Sequence, residues 1–131
     1  MQLFRADLSD DEEIKSFFDA QVIRGIYDYR VTRPNSFFAQ YKLSTDDYQT
    51  FLLRDSHNKI QAMASILFRK AYINAKEQTV GYVTDLRVSG SRNATLNWSK
   101  EFIPVMDQER EKRDCHYIFS ELEQFENTAY N

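Results

Sequence analysis

Cys115 and His116 are the residue types of a thiol nucleophile and its base, and they stand side by side. Adjacent positions in an extended segment send their side chains to opposite faces, so the pair does not read as a dyad. The other histidine, His57, falls in a run of turn-forming residues, Asp55 to Lys59, and is expected at the surface. Two histidines so far apart give no zinc pattern, and one cysteine excludes an intramolecular disulfide. Phosphate chemistry built on a glycine-rich loop also lacks material. The 131 residues hold 3 glycines, where average usage of roughly 7% would supply about nine. Phe17, Phe18, Phe37, Phe38, Trp98 and Phe102 read as core, because a stacking platform for bases would want basic residues beside it.

The elements that must position any site follow from periodicity and punctuation. Gln2 to Ala6 is a short strand. Ser9-Asp10-Asp11-Glu12 has the capping-box pattern, with Ser9 as cap and Glu12 reaching back. Ile14, Phe17, Phe18 and Val22 then recur at helical spacing, which predicts a helix from about Asp10 to Gln21. Arg24 to Pro34 reads as a loop or extended segment. Asn35 or Ser36 caps a second helix, Phe37 to Tyr41. Tyr48 to Arg54 is rich in strand formers, and Asp55 to Lys59 is a turn. Ile60 to Ile73 is a long strand in which Ala62, Ala64, Ile66 and Phe68 alternate with Met63, Ser65, Leu67 and Arg69. Both faces are fairly apolar, so this strand belongs in the middle of a sheet. Asn74 to Glu77 is the next turn and Val80 to Val88 the next strand. After the loop Ser89–Asn93, a helix runs from Ala94 to Arg113, with Pro104 placed to kink or divide it. His116 to Leu122 is a final strand, and Glu126-Asn127-Thr128-Ala129 starts another helix. The fold class is α/β with a mixed sheet, in the order β-α-α-β-β-β-α-β-(α). The unit from Val80 to Leu122 is expected to be a right-handed crossover between parallel strands.

Composition bounds the partners. The chain is 42% hydrophobic and 15% aromatic, enough for one folded domain spanning 1–131. It carries 17 Lys+Arg against 20 Asp+Glu, a net charge of −3. Its densest basic stretch, Arg110-Glu111-Lys112-Arg113, is interleaved with acid, so a nucleic-acid partner is not expected. No apolar run approaches the roughly 18 residues of a membrane span, and the N-terminus has no signal-peptide layout. With a single cysteine, these features lead us to expect a cytoplasmic protein.

Four stretches resemble the Gcn5-related N-acetyltransferase (GNAT) superfamily. Gly81-Tyr82-Val83-Thr84-Asp85-Leu86-Arg87-Val88-Ser89 is similar to that family's fourth strand and its "DLRV" ending. Ser91-Arg92-Asn93-Ala94-Thr95-Leu96 stands where the family has its pyrophosphate loop. An amphipathic helix through Trp98 and Phe102 follows. Tyr117-Ile118-Phe119-Ser120-Glu121, then Glu126-Asn127-Thr128-Ala129, is similar to the fifth strand and its "N-x-A" helix start.

The resemblance implies an acyl-CoA cosubstrate, no metal, and direct transfer of an acetyl group to an amine acceptor. Arg92 would open the Arg/Gln-x-x-Gly-x-Gly/Ala loop, whose amides and helix dipole hold a pyrophosphate. Ser91, Asn93, Ala94, Thr95 and Leu96 would line it. Thr95 and Asn97 occupy the glycine places, and their Cβ atoms crowd the approach. The alternative is an ordinary strand-to-helix connection capped by Asn93. Backbone groups of Leu86, Arg87 and Val88 would pair with the pantetheine as an added strand does, and Asn127 would be either a cofactor contact or else a helix cap or exposed polar residue. Asp85, Glu121 and Glu123 are the base candidates if partial burial raises their pKa, and strand-end salt bridges otherwise. The family's usual acid tyrosine lies further along the last helix than Tyr130. The two strands that follow in the family are missing, which leads us to expect a truncated domain that self-associates by strand exchange or through an open sheet edge. The alternative functional class is a non-catalytic GNAT-like module for ligand sensing or protein interaction.

Overall fold

One mixed sheet organises the chain. The computed structural model describes residues 1–23, 27, 30–33 and 35–120. Its strands are β1 (Gln2–Arg5), β2 (Asp47–Arg54), β3 (Ile60–Ile73), β4 (Lys76–Val88) and β5 (Tyr117–Ser120), laid side by side in that order. The helices are α1 (Asp11–Ala20), α2 (Ala39–Ser44) and α3 (Arg92–Lys112). The first four strands pair antiparallel, while β4 and β5 run parallel on either side of α3, as the crossover reading expects.

The two faces of β2 and β3 build two cores. Phe51, Leu53, Ala62, Ala64, Ile66 and Phe68 face α3 and meet Ala94, Trp98 and Phe102. Trp98 stacks on Phe102 at 4.7 Å between ring centroids. Leu52, Ile60 and Met63 face the other way and meet Ile14 and Phe18 of α1 with Phe37, Phe38 and Tyr41 around α2. A strand apolar on both faces is what a sheet covered on both sides requires. Phe18, Phe37, Phe38, Trp98 and Phe102 are core residues, as the sequence suggests, while Phe17 is only partly buried against the same cluster as Phe18.

Several boundaries differ from the sequence reading. The cap before α1 is Asp7, not Ser9: the Asp7 carboxylate accepts from the Ser9 amide at 2.8 Å, and the Asp10 carboxylate accepts from the Asp7 amide at 3.0 Å. A short 3-10 turn, Leu8–Asp10, precedes the α-helix and moves the cap two residues back. α2 begins at Ala39 rather than Phe37, because Phe37 and Phe38 form the turn that leads into it. The hairpin between β3 and β4 closes over two residues, Asn74 and Ala75, both in the left-handed region with φ of 53° and 65°. That geometry matches the strand twist, so Lys76 and Glu77 join the strand instead of the turn. α3 starts at Arg92 with Ser91 as its cap, which displaces Asn93 from that role. It also continues through Pro104 instead of dividing there.

β4 carries the irregularity that positions the site. Thr84 lies opposite Ser65 and Arg87 opposite Met63, so Asp85 and Leu86 together face the single residue Ala64. This is a β-bulge, with Asp85 in the left-handed region at φ 58°. Aspartate tolerates that region better than most residues because its short side chain bonds locally. Nearer its start, β4 approaches β5 closely at Gly81. A Cβ there would stand 3.2 Å from both Ile118 Cγ1 and Phe68 Cε1.

Candidate functional site

The bulge turns Asp85 toward the α1–α2 face, where two groups from distant segments meet it. The Tyr41 hydroxyl, from α2, donates to Asp85 Oδ2 at 2.5 Å. The Arg33 guanidinium, from the segment before α2, donates to the same oxygen and pairs with it as an ion. Only about an eighth of either side chain is exposed: 12% for Arg33 and 13% for Asp85. The guanidinium carbon of Arg33 lies 4.9 Å from the Phe18 ring centroid, 5.3 Å from Phe37 and 5.9 Å from Tyr41. Burial, then the neighbouring Asp85 charge, hold the Tyr41 pKa well above the ordinary value of 10. Tyr41 is therefore a proton donor at neutral pH. Behind it, Ser65 and Thr50 share a buried hydroxyl hydrogen bond at 2.6 Å.

Asp85 is thus an engaged carboxylate, with a cation and a hydroxyl on one oxygen. Arg33 and Tyr41 were not singled out from the sequence. Tyr41 reads there as an unremarked position in a core helix, and Arg33 lies in the ambiguous stretch before Pro34. Only a long-range contact joins them to Asp85, and no local spacing encodes it.

Three residues past β4, α3 opens. The Ser91 hydroxyl accepts from the Ala94 amide at a long 3.4 Å. The amides of Arg92 and Asn93 have no partner among the described residues, as the first turn of a helix dictates. Arg92, Asn93, Thr95 and Leu96 are exposed there, while the side chain of Ala94 is buried in the α3-side core. Thr95 and Asn97 direct their side chains back along the helix: Thr95 Oγ1 to the Ser91 carbonyl at 3.4 Å, Asn97 Nδ2 to the Asn93 carbonyl at 2.7 Å. On β4, Leu86 is half exposed, and its carbonyl accepts from Arg87 Nη1 at 2.8 Å. β5 pairs with β4 only from Val80 to Val83, so the outer edge of Leu86–Val88 faces no described strand.

The structure brings Asp85, Leu86–Val88 and Ser91–Leu96 to one end of β4. Glu121, Glu123, Asn127 and Tyr130 lie outside the described residues. His57 sits in its turn, and His116 is exposed beside Asp114 at 3.1 Å. Cys115 is buried, its thiol donating to the Tyr117 carbonyl at 3.2 Å. Among the described residues no group of three or more His, Cys, Asp or Glu is placed to hold a metal ion, and no helix is long and apolar enough to cross a membrane. A second polar cluster lies under the far end of α3. There Arg113 forks onto Asp47 at 2.7 and 2.8 Å and pairs with Glu109 at 2.7 Å, over the face of Phe68. Its charges satisfy one another, and it stands away from the bulge.

No protein-family model and no curated protein matches the chain. Solved structures do. Glucosamine-6-phosphate N-acetyltransferase from Arabidopsis thaliana is 17% identical, with a TM-score of 0.65 over 98% of this chain and 86% of that one. An aminoglycoside acetyltransferase from an uncultured soil metagenomic sample is 17% identical, with a TM-score of 0.67 over 98% and 82%. A predicted acetyltransferase from Clostridium acetobutylicum, solved with acetyl-CoA, is 17% identical, with a TM-score of 0.63 over 94% and 81%.

Proposed function

We propose, from the GNAT fold that this chain has, that it binds acetyl-CoA or a related acyl-CoA and transfers the acyl group to an amine. One observation carries the reading. The bulge at Asp85–Leu86, the edge of β4 past Val83 that no described strand covers and the N-terminus of α3 lie close together in the chain. An extended amide-bearing arm fits the edge, and an anionic pyrophosphate suits the amides of Arg92 and Asn93, with the Arg92 side chain beside them. The acyl carbonyl then lies toward the bulge. The acceptor nitrogen bonds to the acyl carbon, the carbon–sulfur bond breaks, and the thiolate leaves with its electron pair and takes up a proton. Asp85 or Glu121 serves as the base for the amine proton, directly or through water. Because Asp85 is ion-paired, it acts in this scheme only when Arg33 gives way.

A second reading has its own support. The Thr95 and Asn97 side chains stand where the family has glycines, so the same end of β4 serves a non-catalytic module that senses an acyl-CoA. Release of free thiol from acetyl-CoA in the presence of a panel of primary amines separates the two. Turnover above the amine-free rate supports transfer. Saturable binding of acetyl-CoA with no turnover for any amine supports sensing.

A further inference from the structure

The Arg33 guanidinium is held as a bound ligand is held. Three aromatic rings of two helical segments surround it at 4.9, 5.3 and 5.9 Å, and a largely buried carboxylate closes the box. Phe18 and Phe37 are fully buried and meet edge to face at 5.2 Å, and Phe37 meets Tyr41 the same way at 5.4 Å. The walls are therefore braced by one another and not by Arg33 alone. Asp85 is fixed from a different element, by the β4 bulge. One guanidinium nitrogen of the occupant is unmatched. Arg33 Nη1 donates to Gln40 and the Arg33 amide to Asp19, but Nε is buried without a hydrogen-bond partner among the described residues, and the residue stands on backbone with no regular secondary structure. Aromatic faces with a desolvated carboxylate are the chemistry that recognises organic cations.

We infer that Phe18, Phe37, Tyr41 and Asp85 form a binding cage for a planar organic cation, an alkylguanidinium, and that Arg33 occupies it as a tethered competitor. Resting on the acyl-transfer reading, this makes the acceptor a molecule that carries a guanidinium group as well as its reacting amine. Entry of that group displaces Arg33 and takes its place on Asp85, which leaves Glu121 as the base for the amine proton. A tethered competitor lowers apparent affinity by the fraction of time that it leaves the cage empty.

Methylguanidinium chloride is the probe, titrated by calorimetry without acyl-CoA and with sodium chloride at equal ionic strength as the control. Arg33→Ala should bind it saturably, one per chain, and at least about tenfold tighter than the unaltered chain. Arg33→Lys keeps a charge beside Asp85 with a shorter reach, and should bind with intermediate affinity. Asp85→Asn in the Arg33→Ala background should abolish binding. Absence of saturable binding to Arg33→Ala, or equal affinity in the unaltered chain, overturns the inference. If Arg33→Ala does not fold, Arg33→Lys binding no tighter than the unaltered chain overturns it. Since acyl-CoA is absent from the titration, a failure here is separate from a failure of acyl binding or transfer.

Discussion

At the scale of single residues, Asp85 combines a strained backbone with a paired charge. Its φ of 58° creates the bulge, and its carboxylate anchors Arg33 and Tyr41. Removing one partner of such a largely buried pair leaves the other uncompensated. Asp85→Asn retains the volume and the tolerance for left-handed φ, so it isolates the charge. It should lower stability by roughly 3 kcal/mol in chemical denaturation, and a change within error would contradict the anchoring role. Glu109 offers a pH test. Burial pushes its pKa up, but hydrogen bonds from Arg113, Lys112 and Gln49 more than offset this, and the net pKa is lowered below the ordinary 4.5. A carboxyl with a depressed folded-state pKa contributes stability above its unfolded value and loses it as pH falls through the folded value. The denaturation midpoint should therefore fall as the pH drops below 4.5, and Glu109→Gln should flatten that fall. The carboxylates were visible as residue types from the start. Their partners were not, because 52 positions separate Arg33 from Asp85 and 44 separate Tyr41 from it.

Elements were read more easily than their joints. The alternation of Ile60 to Ile73 defines β3 with the bounds seen in the structure, since a strand apolar on both faces has one place in a covered sheet. The joints depend on single hydrogen bonds, which periodicity does not carry: Asp7 outcompetes Ser9, and Ser91 outcompetes Asn93. A bulge is equally hidden, because one inserted residue leaves the composition of a strand unchanged. α3 supplies a prediction of its own. Pro104 lies inside the helix and is exposed, so it removes a hydrogen bond to the Lys100 carbonyl without a packing role. Pro104→Ala should stabilise the chain by about 1–3 kcal/mol, read as a higher thermal midpoint. An unchanged or lower midpoint would show that the proline shapes the helix in a way that packing requires. Ser91→Ala should cost about 0.5–1 kcal/mol, the low end for a helix cap, since its bond to Ala94 is long at 3.4 Å.

For the molecule as a whole, the sheet separates two tasks. The α3 face is an apolar core built on Trp98, Phe102 and Phe51, with the Arg113–Asp47–Glu109 cluster closing its far end. The α1–α2 face adds a polar network to its core, and that network meets the bulge where the start of α3 and the edge of β4 that no described strand covers lie. The order of elements made this layout legible, because a parallel pair around one helix after an antiparallel run admits few topologies. The chemistry of the α3 entrance was legible only as a tension between Arg92, which suits a pyrophosphate, and the side chains of Thr95 and Asn97. That tension is the central matter, and titration of acetyl-CoA into the chain by calorimetry, repeated with Arg92→Ala, tests it most directly. The account predicts saturable binding of one acetyl-CoA per chain, weakened about tenfold or more by Arg92→Ala, a loss of one charge-assisted phosphate contact. No binding at millimolar acetyl-CoA, or equal binding by both chains, would contradict it.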